Sequence, residues 1–437
     1  MPTLSLAMIV KNEEKNLGHC LASVKSLVDE MVVVDTGSTD GTVSLAESFG
    51  ARLGHFPWTG DFAAARNESL RLCTGDWVLV LDADEAVDAL DHPKIREAIA
   101  QGSCQAYNLI SRNYSESPDW LLLDQVALPN TSDYREGAQF PYYGDAPNMR
   151  LFRRFPDLRY EGRIHELVVP YFLKRQLPMG ALDVVVHHYG KLDYAREREK
   201  LDRYLALAEQ DAAAHPLNEQ CQFNLMIQAH AAGKDETAVR AGLAYIRLVP
   251  RTPLRVYTIL GMSLQRLGRH KDAIACFETV LGVQADHALS LERLAVSLRI
   301  LGRAEEARKH LLGVLEARPA YSPPYFALAE LEEQDGHPEA ARAILLQGLQ
   351  KRPDHPQMHF FLVQLDLRLG LPAQAAADAW TALQALPEGG GGHWHALVAG
   401  FLLKEGHTDQ GRAILGQGLS IFKDHPGLLR LQSLAGG

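Results

Sequence analysis

Asp82 and Asp84 stand two residues apart at the end of the apolar run WVLVL (77–81), and Glu85 follows at once. In an extended segment, residues two apart share one side, so both aspartates face the same way. Two converging carboxylates suit a hard divalent cation, which takes oxygen ligands and completes its shell with diphosphate oxygens. Polar groups recur at comparable places upstream. Asn12, Glu13 and Glu14 follow LSLAMIV (4–10), and Asp35 ends MVVVD (31–35) and runs into Thr36-Gly37-Ser38-Thr39-Asp40-Gly41. Taken alone, the Asp35 stretch reads as a turn with a helix cap, and Asp82-Ala83-Asp84-Glu85 as a solvated turn. Taken together, in order and each after an apolar run, they point to a ligand site, with Glu85 expected to be structural.

The elements that must position these acids are legible in the first ~190 residues as alternating apolar runs and amphipathic stretches. LSLAMIV is expected to be a strand, followed by a helix with Leu17, Leu21, Val24 and Val28 at helical spacing. MVVVD is the next strand, with a helix carrying Val43, Ala46 and Phe49 after it, then a helix over 61–72 and the strand WVLVLD (77–82). Alternation in units of this length implies an α/β domain with a Rossmann-like, mostly parallel sheet covered on both faces. Ligands of such sheets bind beyond the carboxyl ends of the strands, where the acids lie. No Gly-x-Gly-x-x-Gly and no Walker-type Gly-Lys-Ser/Thr follows the first strand, which removes the main support for dinucleotide and P-loop readings. Residues 111–148, rich in Tyr, Pro, Asn and Asp, are expected to form an irregular functional loop.

The second half has another rhythm. Glycines stand at 268, 302, 336 and 370, alanines at 273, 307, 341 and 375, and prolines at 319, 353 and 387, all 34 apart. Gly233 and Gly406 extend the series with one and two extra residues, the latter slack falling at Gly389–Gly392. This is the helix–turn–helix period of tetratricopeptide repeats, and about six repeats are expected from 219 to 426. The expected division is an α/β domain over 1–190, a helical linker over 191–218 and an all-α solenoid over 219–437. A solenoid offers a binding surface and little chemistry, so any reaction is expected in the first domain.

Composition narrows the partners. A net charge of −10 argues against sequence-independent binding to nucleic acid or anionic membranes. Five cysteines without a CxxC pair suit a reducing cytoplasm better than a disulfide framework or zinc site. No leader peptide and no run long enough to span a membrane is visible, so the expectation is a soluble cytoplasmic protein.

SLAMIVKNEEKNL, VVVDTGSTDGT, DFAAARNESL and GDWVLVLDADE resemble, in this order, the core of family 2 glycosyltransferases of the GT-A fold. The chain looks especially like a bacterial branch in which that domain is joined to tetratricopeptide repeats, and which resembles the peptide-modifying transferases that glycosylate bacteriocins. The resemblance implies a nucleotide-sugar donor, UDP-linked, with Asp35 contacting the base, helped by Ile9, Lys11 and Glu13. It implies that Arg66 approaches the nucleotide or diphosphate. It makes Asp82-Ala83-Asp84 the DxD motif, with Asp82 near the ribose and Asp84 on a manganese or magnesium ion. Ile9 and Lys11 stand where many relatives have Pro and Tyr, and Thr36 where they have a second Asp, so the nucleotide is better specified than its base. Glu166, in Tyr160-Glu161-Gly162-Arg163-Ile164-His165-Glu166, sits where inverting relatives place an acid and is implied as general base. The same loop read without the resemblance offers His165 and Glu166 as a structural pair at a strand edge. One of His187 and His188, which end VVVHH (184–188), is implied as a further metal ligand, which leans the site toward manganese; the other reading is polar punctuation.

These expectations describe an inverting, metal-dependent transferase whose repeats hold a peptide or protein acceptor or pair with another copy of the chain. Three rival readings stand beside it: a scaffold that binds a nucleotide sugar without turnover, a nucleotidyltransferase, which would want a Gly-Gly-x-Gly-Thr-type loop where this chain has Val-Lys-Asn-Glu-Glu, and a transferase acting on a lipid or cell-surface glycan.

Overall fold

The computed structural model describes residues 2–122, 125–189, 194–353, 355–385 and 391–435. Pro387 of the proline series and Gly389–Gly390 of the expected slack lie outside the described residues, as does the start of the expected linker at 191–193. The chain forms two compact units, Met1–Arg269 and His270–Gly437.

In the first unit the strands are β1 (Leu4–Val10), β2 (Glu30–Asp35), β3 (Arg52–His55), β4 (Trp77–Val80), β5 (Glu85–Val87), β6 (Ala106–Ser115), the short β7 (Leu121–Leu122), β8 (Gln125–Val126) and β9 (Leu128–Pro129), β10 (Tyr142–Arg153) and β11 (Met179–His188). The helices are α1 (Leu17–Val24), α2 (Thr42–Ser48), α3 (Phe62–Leu72), α4 (His92–Gln101) and α5 (Val169–Lys174), then α6 (Tyr194–Ala214), α7 (Glu219–Ala231), α8 (Asp235–Leu248) and α9 (Leu254–Arg266). The main sheet runs β3-β2-β1-β4-β10-β6-β11-β5, with β9 paired to β10. β3, β2, β1 and β4 are mutually parallel. β10 enters antiparallel between β4 and β6, β11 lies parallel to β6, and β5 lies antiparallel to β11.

Burial on both faces explains why the strands read as continuous apolar runs. Leu4, Leu6 and Met8 of β1 and Leu79 of β4 pack under α1 and α4 with Leu17, Leu21, Ile95 and Ile99. Ala7 of β1 and Val78 and Val80 of β4 turn to the other face, against α3 and α5, with Leu70, Tyr171 and Phe172. Each fully buried aliphatic side chain contributes about 1.5–3 kcal/mol.

The stretch 111–148 is more ordered than its composition suggests. Its two ends belong to β6 and β10, paired from Tyr142↔Ser115 through Phe152↔Ala106, and the irregular part shrinks to the segment between them. Pro147 is one of the prolines of that stretch. It sits opposite Ile110 on β6, outside the Leu151–Arg153 stretch where β4 pairs with β10, so the missing N–H breaks no second ladder.

In chain order, α7 to α9 begin the helix–turn–helix series. The second unit continues it with α10 (His270–Leu281), α11 (Ala288–Ile300), α12 (Ala304–Ala317), α13 (Pro323–Gln334), α14 (Pro338–Lys351), α15 (Pro356–Arg368), α16 (Pro372–Ala385), α17 (Gly391–Lys404), α18 (Thr408–Ile421) and α19 (Pro426–Ala435). The periodic glycines have one cause. Gly302, Gly336 and Gly370 carry φ of 76°, 81° and 72°, the left-handed turn that ends the first helix of each pair. Between the pairs, Tyr325 and Ala329 of α13 pack with Ala341 and Leu345 of α14 and Met358 and Leu362 of α15.

Leu79 makes the burial argument testable. Leu79→Ala, at a side chain with 0% exposure, is expected to destabilise the first unit by about 2–5 kcal/mol in urea unfolding. Leu90→Ala, at a side chain 61% exposed, is expected to stay within about 0.5 kcal/mol.

Candidate active site

From β1 the chain moves to β2 and β3 on one side and returns to β4 on the other, so strand order switches between β1 and β4. Open sheets place ligands in the crevice outside the strand ends at such a switch. The loops after β1 and β2 are tied together there. Asn12, at φ 55°, donates its backbone N–H to Ser38 Oγ at 2.9 Å and accepts from Thr39 N–H at 2.8 Å. Asp35 is buried and accepts from the backbone of Gly37 and Ser38 at 3.0 and 3.1 Å, so its carboxylate shapes its own turn. Glu13 is buried too, accepting from Asn16 at 2.9 Å while its N–H donates to Thr42 Oγ1 at 2.8 Å. Ile9 is half-buried beside Val34 on β2, and Lys11 is exposed.

At the end of β4 the acids meet two buried arginines. Arg66, on α3, donates through Nη2 to Asp82 Oδ1 at 2.5 Å and through Nε to Glu166 Oε1 at 2.8 Å. Arg150 donates through Nη2 to Asp82 Oδ2 at 3.2 Å and to Glu85 Oε1 at 2.5 Å. Glu85 in turn accepts the backbone N–H of Asp82 at 2.8 Å. The Glu85 side chain is 2% exposed while that of Asp82 is 35% exposed, so Glu85 is the buried brace and Asp82 keeps an open side.

The protonation preferences diverge accordingly. Its dry surroundings work against a charge on Asp82, but Arg66 and Arg150 outweigh them and hold its carboxyl well below the usual carboxylate range. Burial pushes Glu85 up to about 7, with the Asp82 charge adding to it and Arg150 opposing it. The Arg66 guanidinium loses hydration, yet Asp82 and Glu166 hold its proton more firmly than in water.

His187 and His188 separate, because neighbouring residues of a strand face opposite sides. His188 Nε2 lies 3.6 Å from Asp84 Oδ1, and its Nδ1 is 2.7 Å from Asn113 Oδ1 on β6. An Nδ1–H donated to Asn113 leaves Nε2 turned to Asp84, the arrangement by which a second partner orients a metal-binding imidazole. Burial alone would lower the His188 pKa, but the Asp84 contact and the charges of Glu85, Asp84 and Asp82 raise it. His187 is buried away from the acids. Its Nδ1 meets Tyr114 Oη at 2.5 Å, Tyr134 packs edge-on at 5.0 Å, and burial lowers its pKa to about 4.

The structure thus gathers Arg66, Asp82, Asp84, Glu166 and His188, and leaves His187 and the methyl of Ala83, which belongs to the core, outside the group. Among the described residues no three His, Cys, Asp or Glu side chains are placed to hold a metal by themselves. Asp84 and His188 offer two ligands, which fits a cation whose remaining positions are filled by diphosphate oxygens and water. Sequence reasoning missed Arg150 and Asn113. Arg150 falls at a register shift of β10 between Met149 and Leu151, and its charge within NMRLF (148–152) was the available signal. Bulges of this kind re-aim a side chain. Asn113 carried no signal.

Comparison with known proteins bears on the domain that carries most of these residues. Residues 5–160 match the glycosyl transferase family 2 model. This part of the chain is a family 2 glycosyltransferase domain. Tetratricopeptide-repeat models match residues 260–322 and 298–365. The transferase match ends at Tyr160, so Glu166, His187 and His188 lie beyond it. Among curated relatives, a TPR repeat-containing protein of Synechococcus elongatus is 35% identical over 223 residues, covering 49% of each chain. The SPbeta prophage-derived glycosyltransferase SunS of Bacillus subtilis is 26% identical over 242 residues, covering 54% of this chain and 52% of SunS. An uncharacterized glycosyltransferase of Rickettsia felis is 42% identical over 85 residues, 20% of this chain and 30% of its own. The chain therefore spans about half the length, or less, of these relatives. Of solved structures, a tetratricopeptide repeat protein from Parabacteroides merdae covers 55% of this chain and 94% of its own, at 15% identity and TM-score 0.39. No helix among the described residues is long and apolar enough to cross a membrane.

The transferase domain's charge network predicts a double-mutant result. Arg150→Met removes the cation that favours the charged form of the buried Glu85 and is expected to lower stability in chemical denaturation at neutral pH, with Glu85 taking up a proton. Adding Glu85→Gln is expected to recover part of that loss, a coupling that independent sites would not show.

Proposed function

We propose that the chain is an inverting glycosyltransferase that moves a sugar from a UDP-linked donor to a peptide or protein acceptor held by the repeats. The observation that carries this reading is Arg66, which bridges Asp82 and Glu166 beside the Asp84–His188 pair at the strand-order switch. The family 2 match over residues 5–160 and the glycosyltransferase names of the Bacillus and Rickettsia relatives support the reaction class.

In this reading Asp35 and the tied loops after β1 and β2 receive the nucleoside, and Asp82, fixed by two arginines, meets the ribose through its open side. Arg66 Nη1 is buried without a hydrogen-bond partner among the described residues. Such an orphaned donor suits a diphosphate oxygen. Asp84 and His188 would hold a manganese or magnesium ion, which when bound neutralises charge developing on the departing diphosphate. Glu166 takes the proton of the acceptor group as that group bonds to the anomeric carbon. The bond from that carbon to the diphosphate oxygen breaks on the opposite face, the electron pair leaves with the nucleoside diphosphate, and the configuration inverts.

The test is a thermal-shift screen with UDP-, GDP- and dTDP-sugars, with and without manganese, followed by transfer assays on peptide pools. UDP-sugars with manganese are expected to stabilise selectively. Asp84→Asn is expected to remove the manganese-dependent part of the shift and lower transfer at least about 100-fold. Binding without turnover would favour the scaffold reading, turnover only on glycans would favour the glycan transferase, and an Asp84→Asn protein with full activity would overturn the mechanism.

A further inference from the structure

The segment carrying Glu166 is held from outside the transferase match. Glu161 and Leu167 close a loop by exchanging two backbone hydrogen bonds of 2.9 Å. Inside it Gly162 has φ 100°, and His165, a non-glycine residue directly before Glu166, has φ 50°. A left-handed backbone at a residue with a side chain persists only where its surroundings over-determine it.

Those surroundings come from α6 and α7, both within the first compact unit. Asn224 Nδ2 of α7 donates to the Ile164 carbonyl at 3.2 Å, in a buried contact. Gln228, one turn further along α7, places its Nε2 2.7 Å from His165 Nε2. From α6, Tyr204 packs edge-on against the His165 ring at 6.4 Å, and Asp211 pairs with Arg163 at 3.3 Å. Asn224 and Gln228 are only 6% exposed, on a helix whose neighbouring buried positions include the apolar Leu225 and Met226. Buried amides are costly unless each finds its partner, and here the partners are the two residues before Glu166.

We propose that Asn224 and Gln228 are positioning residues for Glu166. They fix the Ile164–His165 peptide in its left-handed turn, so that the Glu166 carboxylate meets Arg66 at a set place, and they make the first helices of the repeat series part of the reaction's geometry. The inference rests on the role of Glu166 given under the proposed function.

Asn224→Leu and Gln228→Met keep side-chain volume while removing the hydrogen-bonding groups. In the full-length double variant, hydrogen exchange followed by mass spectrometry is expected to show amides of residues 163–167 exchanging at least about ten-fold faster, with α7 itself still protected. Turnover of the UDP-sugar that stabilises the protein best is expected to fall about ten-fold, with the donor KM within about two-fold. Unchanged exchange overturns the proposal, as does faster exchange with unchanged turnover, and so does a loss expressed in donor KM alone. Each single variant provides the same readouts should the double variant unfold. A Glu166→Gln protein with full transfer would instead sink the role of Glu166 and leave the exchange result standing, so the two failures are distinguishable.

Discussion

Everything at the end of β4 depends on keeping Asp82 charged in a place where charge is expensive. Two buried guanidiniums do this, and each needs a second acid in turn: Arg66 takes Glu166, and Arg150 takes Glu85. An isolated buried ion costs several kcal/mol, so losing Arg150 would leave Glu85 without its cation and losing Arg66 would leave Glu166 without its own. The chain of pairs spans α3, the end of β4, the bulge of β10 and the loop before α5. It therefore fixes the relative positions of elements that are far apart in sequence. Asp84 stands outside this chain, with His188 as its neighbour. The two aspartates of one motif are thus set apart by their surroundings, one locked by arginines and one beside His188.

The parallel half of the sheet was legible because its strands are buried on both faces and write themselves as unbroken apolar runs. The repeats were legible for a different reason: a left-handed turn recurs every 34 residues and demands glycine each time. β6 and β10 escaped notice. β6 mixes polar residues into a strand paired on both sides, and β10 carries Pro147 where it pairs with β6 alone, so neither alternation nor an apolar run marks them. In the site, acids that end strands announced themselves, whereas their partners did not. Arg150 acts through a register shift, a feature of pairing rather than of composition. Asn113 acts by orienting His188 across two strands, and the parity of a strand, visible only once β11 is placed, is what separates His188 from His187.

The tether between α7 and the Glu166 loop gives the helical part of the first unit a function beyond surface. Tetratricopeptide helices present side chains that bind extended partners. Here α7 spends two buried amides next to the proposed base instead, one on the Ile164 carbonyl and one on the His165 ring. Within the first unit, the helix that opens the repeat series is therefore also the one that holds the loop of the proposed base.

The most direct test of the proposed metal site is pulsed electron paramagnetic resonance of manganese bound to the protein with UDP. The account predicts nitrogen coupling from a single imidazole, lost in His188→Ala and kept in His187→Ala. A manganese signal without nitrogen coupling, or one whose coupling disappears in His187→Ala, would contradict it.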